Sequence, residues 1–258
     1  MNQLEEIRAQ MGACDDRIIA ALEERMGCIE EIIAFKRENG VPIFQPEQEA
    51  RQRGDWDAKL ADNAYRGEIE HIFEAMVESS KRIQSKTLVQ GNIMLIGFMG
   101  VGKSTVSTYL CEMLAMDRVE MDADIAAKEG MSIPEIFATH GEAYFRNCES
   151  NLLIELQKKS QQVVSCGGGV VLRPENVAVM RQSGTVVLLT ASPESIYERV
   201  KDSTDRPLLN GNMNIPYIEK LMEERRPRYE AAADVVVNTD DTDIQSICEK
   251  IIAAPWKK

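Results

Sequence analysis

An apolar run, Ile93-Met-Leu-Ile96, leads directly into Gly97-Phe-Met-Gly-Val-Gly102-Lys103-Ser104-Thr105. Glycines at these intervals let backbone N–H groups turn inward on phosphate oxygens. A lysine after the last glycine reaches the β- and γ-phosphates, the following hydroxyl ligates Mg²⁺, and the helix that starts there adds the positive end of its dipole. The spacing GxxxxGK[ST] therefore predicts a bound nucleotide, with Gly100, Val101, Gly102, Lys103, Ser104 and Thr105 around its phosphates and Ser104 on the metal. A dinucleotide fingerprint is the poorer match, because GxGxxG is not met and Lys103-Ser104 would go unexplained.

Two further segments sit where such a loop needs company. Asp122-Ala-Asp124 ends a short apolar strand, and alternation along an extended chain predicts that both carboxylates face the phosphate site. One carboxylate suits a metal-bound water and the other a substrate hydroxyl. Gly167-Gly168-Gly169 follows Val163–Ser165, at the carboxyl edge where open α/β sheets bind ligands. The stretch Ser203–Asn214, rich in Asn, Gly, Ser and Thr, reads as a lid that closes over the site. Far upstream, Arg25 and Lys36 are 11 residues apart on one helical pattern. That places them about 20° from the same face and about 16 Å apart along the axis, a spacing at which two long cationic side chains can grip one small dianion. Arg8 lies 17 residues before Arg25. At about 25 Å it cannot reach the same ligand from its own chain, though it can serve a site in a partner.

These groups must be held by two kinds of architecture. Residues 2 to 38 contain no proline and place Leu4, Ile7, Met11, Cys14, Ile18, Leu22, Ile29 and Ile33 at helical spacing, until Gly40-Val41-Pro42 stops the pattern. Shorter helices are expected from Pro46 to Ala61 and from Asn63 to Lys86. A helix that long cannot bury its apolar stripe on two short ones, so a homodimer through it is expected. From residue 92 strands alternate with helices: Ile93–Ile96, Val119–Met121, Val163–Ser165, Val186–Leu189 and Val235–Val237, with helices such as Gly141–Leu156 and Pro193–Lys201 between them. The reading is an all-α domain over residues 1–88 followed by an α/β domain over 92–258 with a five-stranded parallel sheet.

Composition sets the outer limits. The chain has 258 residues, 44% hydrophobic and 28% charged, as expected of a chain with a real core rather than a disordered or fibrous one. A net charge of -12 argues against binding nucleic acid or anionic membranes by bulk charge. Six cysteines without a CxxC pair predict reduced thiols. The N-terminus MNQLEEIRAQ is acidic and helical rather than basic then apolar, and the longest apolar run is too short for a membrane span. A cytoplasmic protein is the expectation.

GFMGVGKST, MDAD, GEAYFRNCE, SCGGG, RPLL and ERRPRY, in that order, make residues 93 to 230 resemble shikimate kinase. The resemblance implies a P-loop kinase that phosphorylates shikimate with ATP and Mg²⁺. It further implies that Asp124, Arg146, Gly168 and Arg225 hold shikimate, that Asp122 holds Mg²⁺ through water, and that Arg206 sits on the lid over ATP. Arg225 is preferred to Arg226 because the family pattern is R-x-P-x-Y. Two arginines suit a carboxylate, and phosphoryl transfer needs mostly positioning and charge neutralisation, here from Lys103, Mg²⁺ and Arg206.

EIRAQMGACDDRIIAALEERMGCIEEIIAFK, then PEQEARQR and IFEAMVESSKRIQ, resemble the all-α chorismate mutases, whose paired long helices share two active sites. That likeness implies a chorismate site lined by Arg8 of the partner chain with Arg25, Lys36, Glu49, Ser80 and Gln84. The best-known members have Asp and Arg where this chain has Gln45 and Gln48. The rearrangement of chorismate to prephenate needs no nucleophile and no metal; gripping two carboxylates and stabilising charge on the breaking ether oxygen are enough. Arg8 and Arg25 suit the carboxylates, and Lys36 and Gln84 the ether oxygen. The expectation is a bifunctional enzyme of aromatic amino-acid biosynthesis. The rival readings are a kinase whose helices only dimerise or bind an effector, and a P-loop kinase acting on another acceptor such as gluconate or a nucleoside monophosphate.

Overall fold

The computed structural model describes residues 2–39, 41, 45–201 and 213–254. The chain forms two compact units, Met1–Gln84 and Ser85–Lys258.

The first unit is helical, with α1 (Gln3–Asn39), α2 (Pro46–Leu60) and the start of α3 (Arg66–Leu88). Proline opens α2, where a missing N–H costs nothing. Only Ile29 and Ile33, one turn apart, are buried on α1. Trp56 and Phe73 join α2 to α3 with ring centroids 4.8 Å apart. The remaining stripe of α1 stays open within one chain: Leu4, Ile7, Met11 and Ile18 are about half exposed.

The second unit alternates strand and helix: β1 (Asn92–Ile96), α4 (Lys103–Leu114), β2 (Asp117–Glu120), α5 (Met121–Glu129), α6 (Ile133–Leu156), β3 (Gln162–Ser165), α7 (Pro174–Ser183), β4 (Gly184–Thr190), α8 (Pro193–Val200), α9 (Ile215–Ala232), β5 (Val235–Asn238) and α10 (Ile244–Ile252). The five strands form one sheet in the order β2-β3-β1-β4-β5, and every pair is parallel. β1 is buried throughout, as an inner strand covered on both faces must be. Met94 and Ile96 join the core with Val164, Val186 and Leu188, against Ile125, Ile136, Phe145, Leu152 and Met180 from the helices. Ile93 and Leu95, also buried, point to the other face.

Two of the boundaries that differ from the expected ones matter for the site. Strand β2 ends at Glu120, and Met121 already begins α5. Met121 and Ile125, a helical turn apart, are both buried, so packing on the core favours a helix where alternation favoured a strand. The second difference is in α6, which starts at Ile133 behind a capping box, Ser132 with Glu135. It is broken at Gly141 (φ 80°), so the helix expected from Gly141 to Leu156 is its second segment.

Candidate active site

The strands β1, β2 and β3 deliver their carboxyl ends to one edge of the sheet, and a cavity of about 410 Å³ opens there. Gly100, Gly102, Lys103, Ser104 and Thr105 line it. Gly102 caps α4 with φ 95°, a left-handed conformation that glycine adopts without strain. No side chain caps α4 and no acidic residue stands in its first turn, which leaves its positive end to an anion. The Lys103 ammonium donates to the carbonyls of Gly97 at 2.9 Å and Phe98 at 3.1 Å, which holds it over its own loop. Val101 sits differently from its neighbours in the loop. It is buried, its N–H donates to Phe98 O, and it does not line this cavity.

Glu120, absent from the sequence-based site, closes the end of β2 over the loop. Ser104 Oγ donates to Glu120 Oε2 at 3.0 Å, while Ser107 Oγ and Arg118 Nη2 each donate to Oε1 at 2.8 Å. Burial pushes the Glu120 carboxyl up, but hydrogen bonds from Arg118, Ser107, Ser165 and Ser104 outweigh it and hold the group below the usual carboxylate range. Asp122 lines the cavity as well, whereas Asp124 does not. Asp122 and Asp124, expected on an extended segment, thus stand on a helix instead. Both lie in the first turn of α5, and on a helix i and i+2 diverge instead of sharing a face. Glu120 and Asp122 both line the cavity.

Arg146, on the second segment of α6, supplies a buried cation at the cavity wall. Its Nη1 donates to Glu149 Oε2 at 2.6 Å, and its Nη2 and Nε donate to Glu142 Oε1 at 2.8 and 3.1 Å. Glu149 is fully buried, its Oε1 accepts no hydrogen bond, and burial raises its pKa against the pull of Arg146. The guanidinium is thus fixed by two carboxylates before any ligand arrives. Gly167, Gly168 and Gly169 pass beside it. A Cβ on Gly169 would stand 2.2 Å from Arg146 Nη1, so only glycine leaves the guanidinium its place. Gly169→Ala should push Arg146 aside and raise KM for an anionic substrate about tenfold or more, with little change in KM for nucleotide; steady-state titration of each substrate checks it.

Tyr229 on α9 donates its hydroxyl to Gly168 O, and burial pushes its phenol up to about 12, so it stays a donor at neutral pH. Arg225 lines the cavity with its guanidinium 6.0 Å from the Phe98 ring centroid, while Arg226 pairs with Glu223 instead. Arg199 is a second residue the sequence reading missed. Its guanidinium donates to Thr239 Oγ1 at 3.1 Å, Thr239 O at 2.9 Å and Gly100 O at 3.4 Å, which places a planar cation at the loop end of the cavity. No motif marks it, because α8 meets Gly100 of the loop across 99 residues of sequence. Arg206 and nearly all of the expected lid lie outside the described residues.

The helical unit gathers its own group. Arg25 Nη1 donates to Ser80 Oγ at 2.6 Å, joining α1 to α3. Glu49 on α2 attracts the half-buried Lys36 ammonium, although burial wins and lowers the Lys36 pKa. Gln84 is half-buried one turn beyond Ser80. Arg8, exposed near the start of α1, is too far along the axis to join them within one chain.

A family model described as Shikimate kinase matches residues 99–255, and one described as Chorismate mutase type II matches residues 7–85. The chain is 44% identical over 163 residues to a shikimate kinase of Dehalococcoides mccartyi, covering 63% of this chain and 92% of that protein. It is 42% identical over 167 residues to one of Caldicellulosiruptor saccharolyticus, covering 65% and 96%. Among solved structures, shikimate kinase from Acinetobacter baumannii in complex with shikimate aligns with a TM-score of 0.62 at 32% identity, over 65% of this chain and 94% of that one. Shikimate kinase from Aquifex aeolicus aligns with a TM-score of 0.55 at 38% identity, over 62% and 94%.

Proposed function

Because the chain belongs to the shikimate kinase family and carries a chorismate mutase domain as well, we infer that it transfers the γ-phosphoryl group of ATP to a hydroxyl of shikimate and also rearranges chorismate to prephenate. The observation that carries the first activity is the convergence of Lys103, Glu120, Asp122, Arg146 and Arg225 on one cavity. Arg146 and Arg225 clamp the shikimate carboxylate, beside the backbone of Gly168. Asp122 accepts the hydrogen bond of the attacking hydroxyl and takes its proton as the hydroxyl oxygen bonds to the γ-phosphorus and ADP departs. Lys103 and the N–H groups opening α4 hold the phosphates in line. Ser104 and Glu120 offer the few hard oxygen donors that Mg²⁺ takes from a protein, so these residues fit it. When bound, Mg²⁺ neutralises charge on the β- and γ-phosphate oxygens.

For the second activity, Arg25 and the partner's Arg8 hold the two carboxylates of chorismate, and Lys36 with Gln84 meets the ether oxygen. Glu49 and Ser80 complete the site. The open apolar stripe of α1 supports a homodimer that would bring Arg8 in from the second chain. Among the described residues no helix is long and apolar enough to cross a membrane. ATP dependence and thiols free of disulfides suit a cytoplasmic enzyme.

The kinase assignment is tested by ATP turnover with shikimate, with gluconate and with a nucleoside monophosphate. Turnover should depend on shikimate, fall about a thousandfold in Asp122→Asn, and stay within about threefold in Asp124→Asn. Faster turnover with either other acceptor would replace shikimate as the substrate. Equal losses in the two variants would return Asp124 to the site.

A further inference from the structure

Arg118 and Glu120, two residues apart on the extended strand β2, stand on one face of it. Ser104 and Ser107, three residues apart on α4, share a face of their helix. The two faces meet in a network. Glu120 Oε1 accepts from Arg118 Nη2 at 2.8 Å, from Arg118 Nε at 3.2 Å and from the buried Ser107 hydroxyl at 2.8 Å. Arg118 Nε also reaches Ser107 Oγ at 3.2 Å. One oxygen of the carboxylate is thus pinned from both α4 and β2, while the other, Oε2, accepts the Ser104 hydroxyl at 3.0 Å. Ser104 and Glu120 line the cavity, whereas Arg118 stands outside its lining.

We propose that Arg118 is a positioning residue for the divalent cation: by holding Glu120 Oε1 it keeps Oε2 on the Ser104 hydroxyl, so that Ser104 meets the cation through its lone pairs. The proposal rests on the reading of this loop as a site for a nucleotide with Mg²⁺. A serine hydroxyl has one proton and two lone pairs, and a proton engaged on Glu120 cannot point at a cation. Without Arg118, Oε1 loses both guanidinium bonds and the carboxylate can turn from Ser104 by a rotamer change. The hydroxyl proton is then free to face the cavity, where it opposes a cation. The sign of the effect separates this role from bulk charge. Coulomb's law alone makes a site tighter for a cation when a nearby arginine is removed, whereas loss of positioning makes it weaker. An ion pair that only braces β2 changes neither.

The test is Mn²⁺ binding to the full-length protein with ADP and without shikimate, free Mn²⁺ being followed by electron paramagnetic resonance. Arg118→Met should weaken Mn²⁺ binding about tenfold, and Arg118→Lys, which keeps a donor for Oε1, should stay within about threefold of normal. Glu120→Gln should weaken it too, and adding Arg118→Met to that variant should change it little further, because Arg118 acts through the carboxylate. Unchanged or tighter Mn²⁺ binding in Arg118→Met overturns the proposal, and so does a further tenfold loss in the Glu120→Gln background. An equal loss of ADP affinity in the absence of Mn²⁺ would put the effect on the nucleotide and overturns it as well. Kinetics supply the functional arm: the Mg²⁺ concentration for half-maximal phosphorylation should rise about tenfold in Arg118→Met, with kcat at saturating Mg²⁺ near normal. If Mn²⁺ binding falls as described but the unaltered protein does not phosphorylate shikimate, the positioning role holds and the choice of acceptor falls. If the unaltered protein with ADP binds no Mn²⁺, both fall.

Discussion

Lys103→Ala should reduce ATP-dependent phosphorylation of shikimate by about a thousandfold or more while leaving chorismate rearrangement within about twofold of normal. The lysine begins α4 at the mouth of the phosphate loop, and its ammonium is already held there by the carbonyls of Gly97 and Phe98. That preorganisation means the charge need not be recruited during reaction, so its loss falls on the transition state and lowers kcat. Burial of β1 and the backbone conformation of the glycines do not depend on the side chain. An unchanged melting curve should therefore accompany the lost activity. The two family matches occupy separate stretches of the chain, residues 99–255 and 7–85, which is why one activity should fall alone. Loss of both in a folded protein would contradict independent sites.

Lys36→Ala should cost chorismate rearrangement about a hundredfold to a thousandfold, and so should Arg8→Ala; equal amounts of the two, refolded together, should recover roughly a quarter of normal activity. The recovery follows from geometry. Lys36 and Arg8 lie 28 residues apart on the same α1, about 42 Å along its axis, so one chain cannot bring both to one site. If each site takes Lys36 from one chain and Arg8 from its partner, every mixed dimer regains one complete site and loses the other. Random pairing makes half the dimers mixed. The exposed stripe Leu4, Ile7, Met11 and Ile18 is the surface through which such a dimer would form. No recovery in verified mixed dimers would refute the shared site, and normal activity in Lys36→Ala would leave the helices as an assembly or effector-binding module.

Much of this protein is legible in its sequence for a local physical reason. A P-loop is a contiguous strand, turn and helix whose glycines and lysine have few other uses, so GFMGVGKST specifies both its conformation and its ligand. The parallel sheet follows from five short apolar runs separated by helical stretches, and the long proline-free pattern over residues 2 to 38 becomes α1. What the sequence could not decide is where one local preference yields to another. Met121 and Ile125 pack on the core as a helix, which ends β2 at Glu120, puts Asp122 and Asp124 on α5 and brings Glu120 to the cavity. Val101 and Thr105 flank the same lysine, yet the fold turns one into the interior and leaves the other on the cavity. Arg199 and Lys81 carry no motif at all. They acquire their partners, Thr239 and Glu49, only when segments 40 and 32 residues distant are brought together. Spacing along the chain determines which groups a single element can present; contacts between elements, which depend on how the whole core packs, decide which of those groups meet.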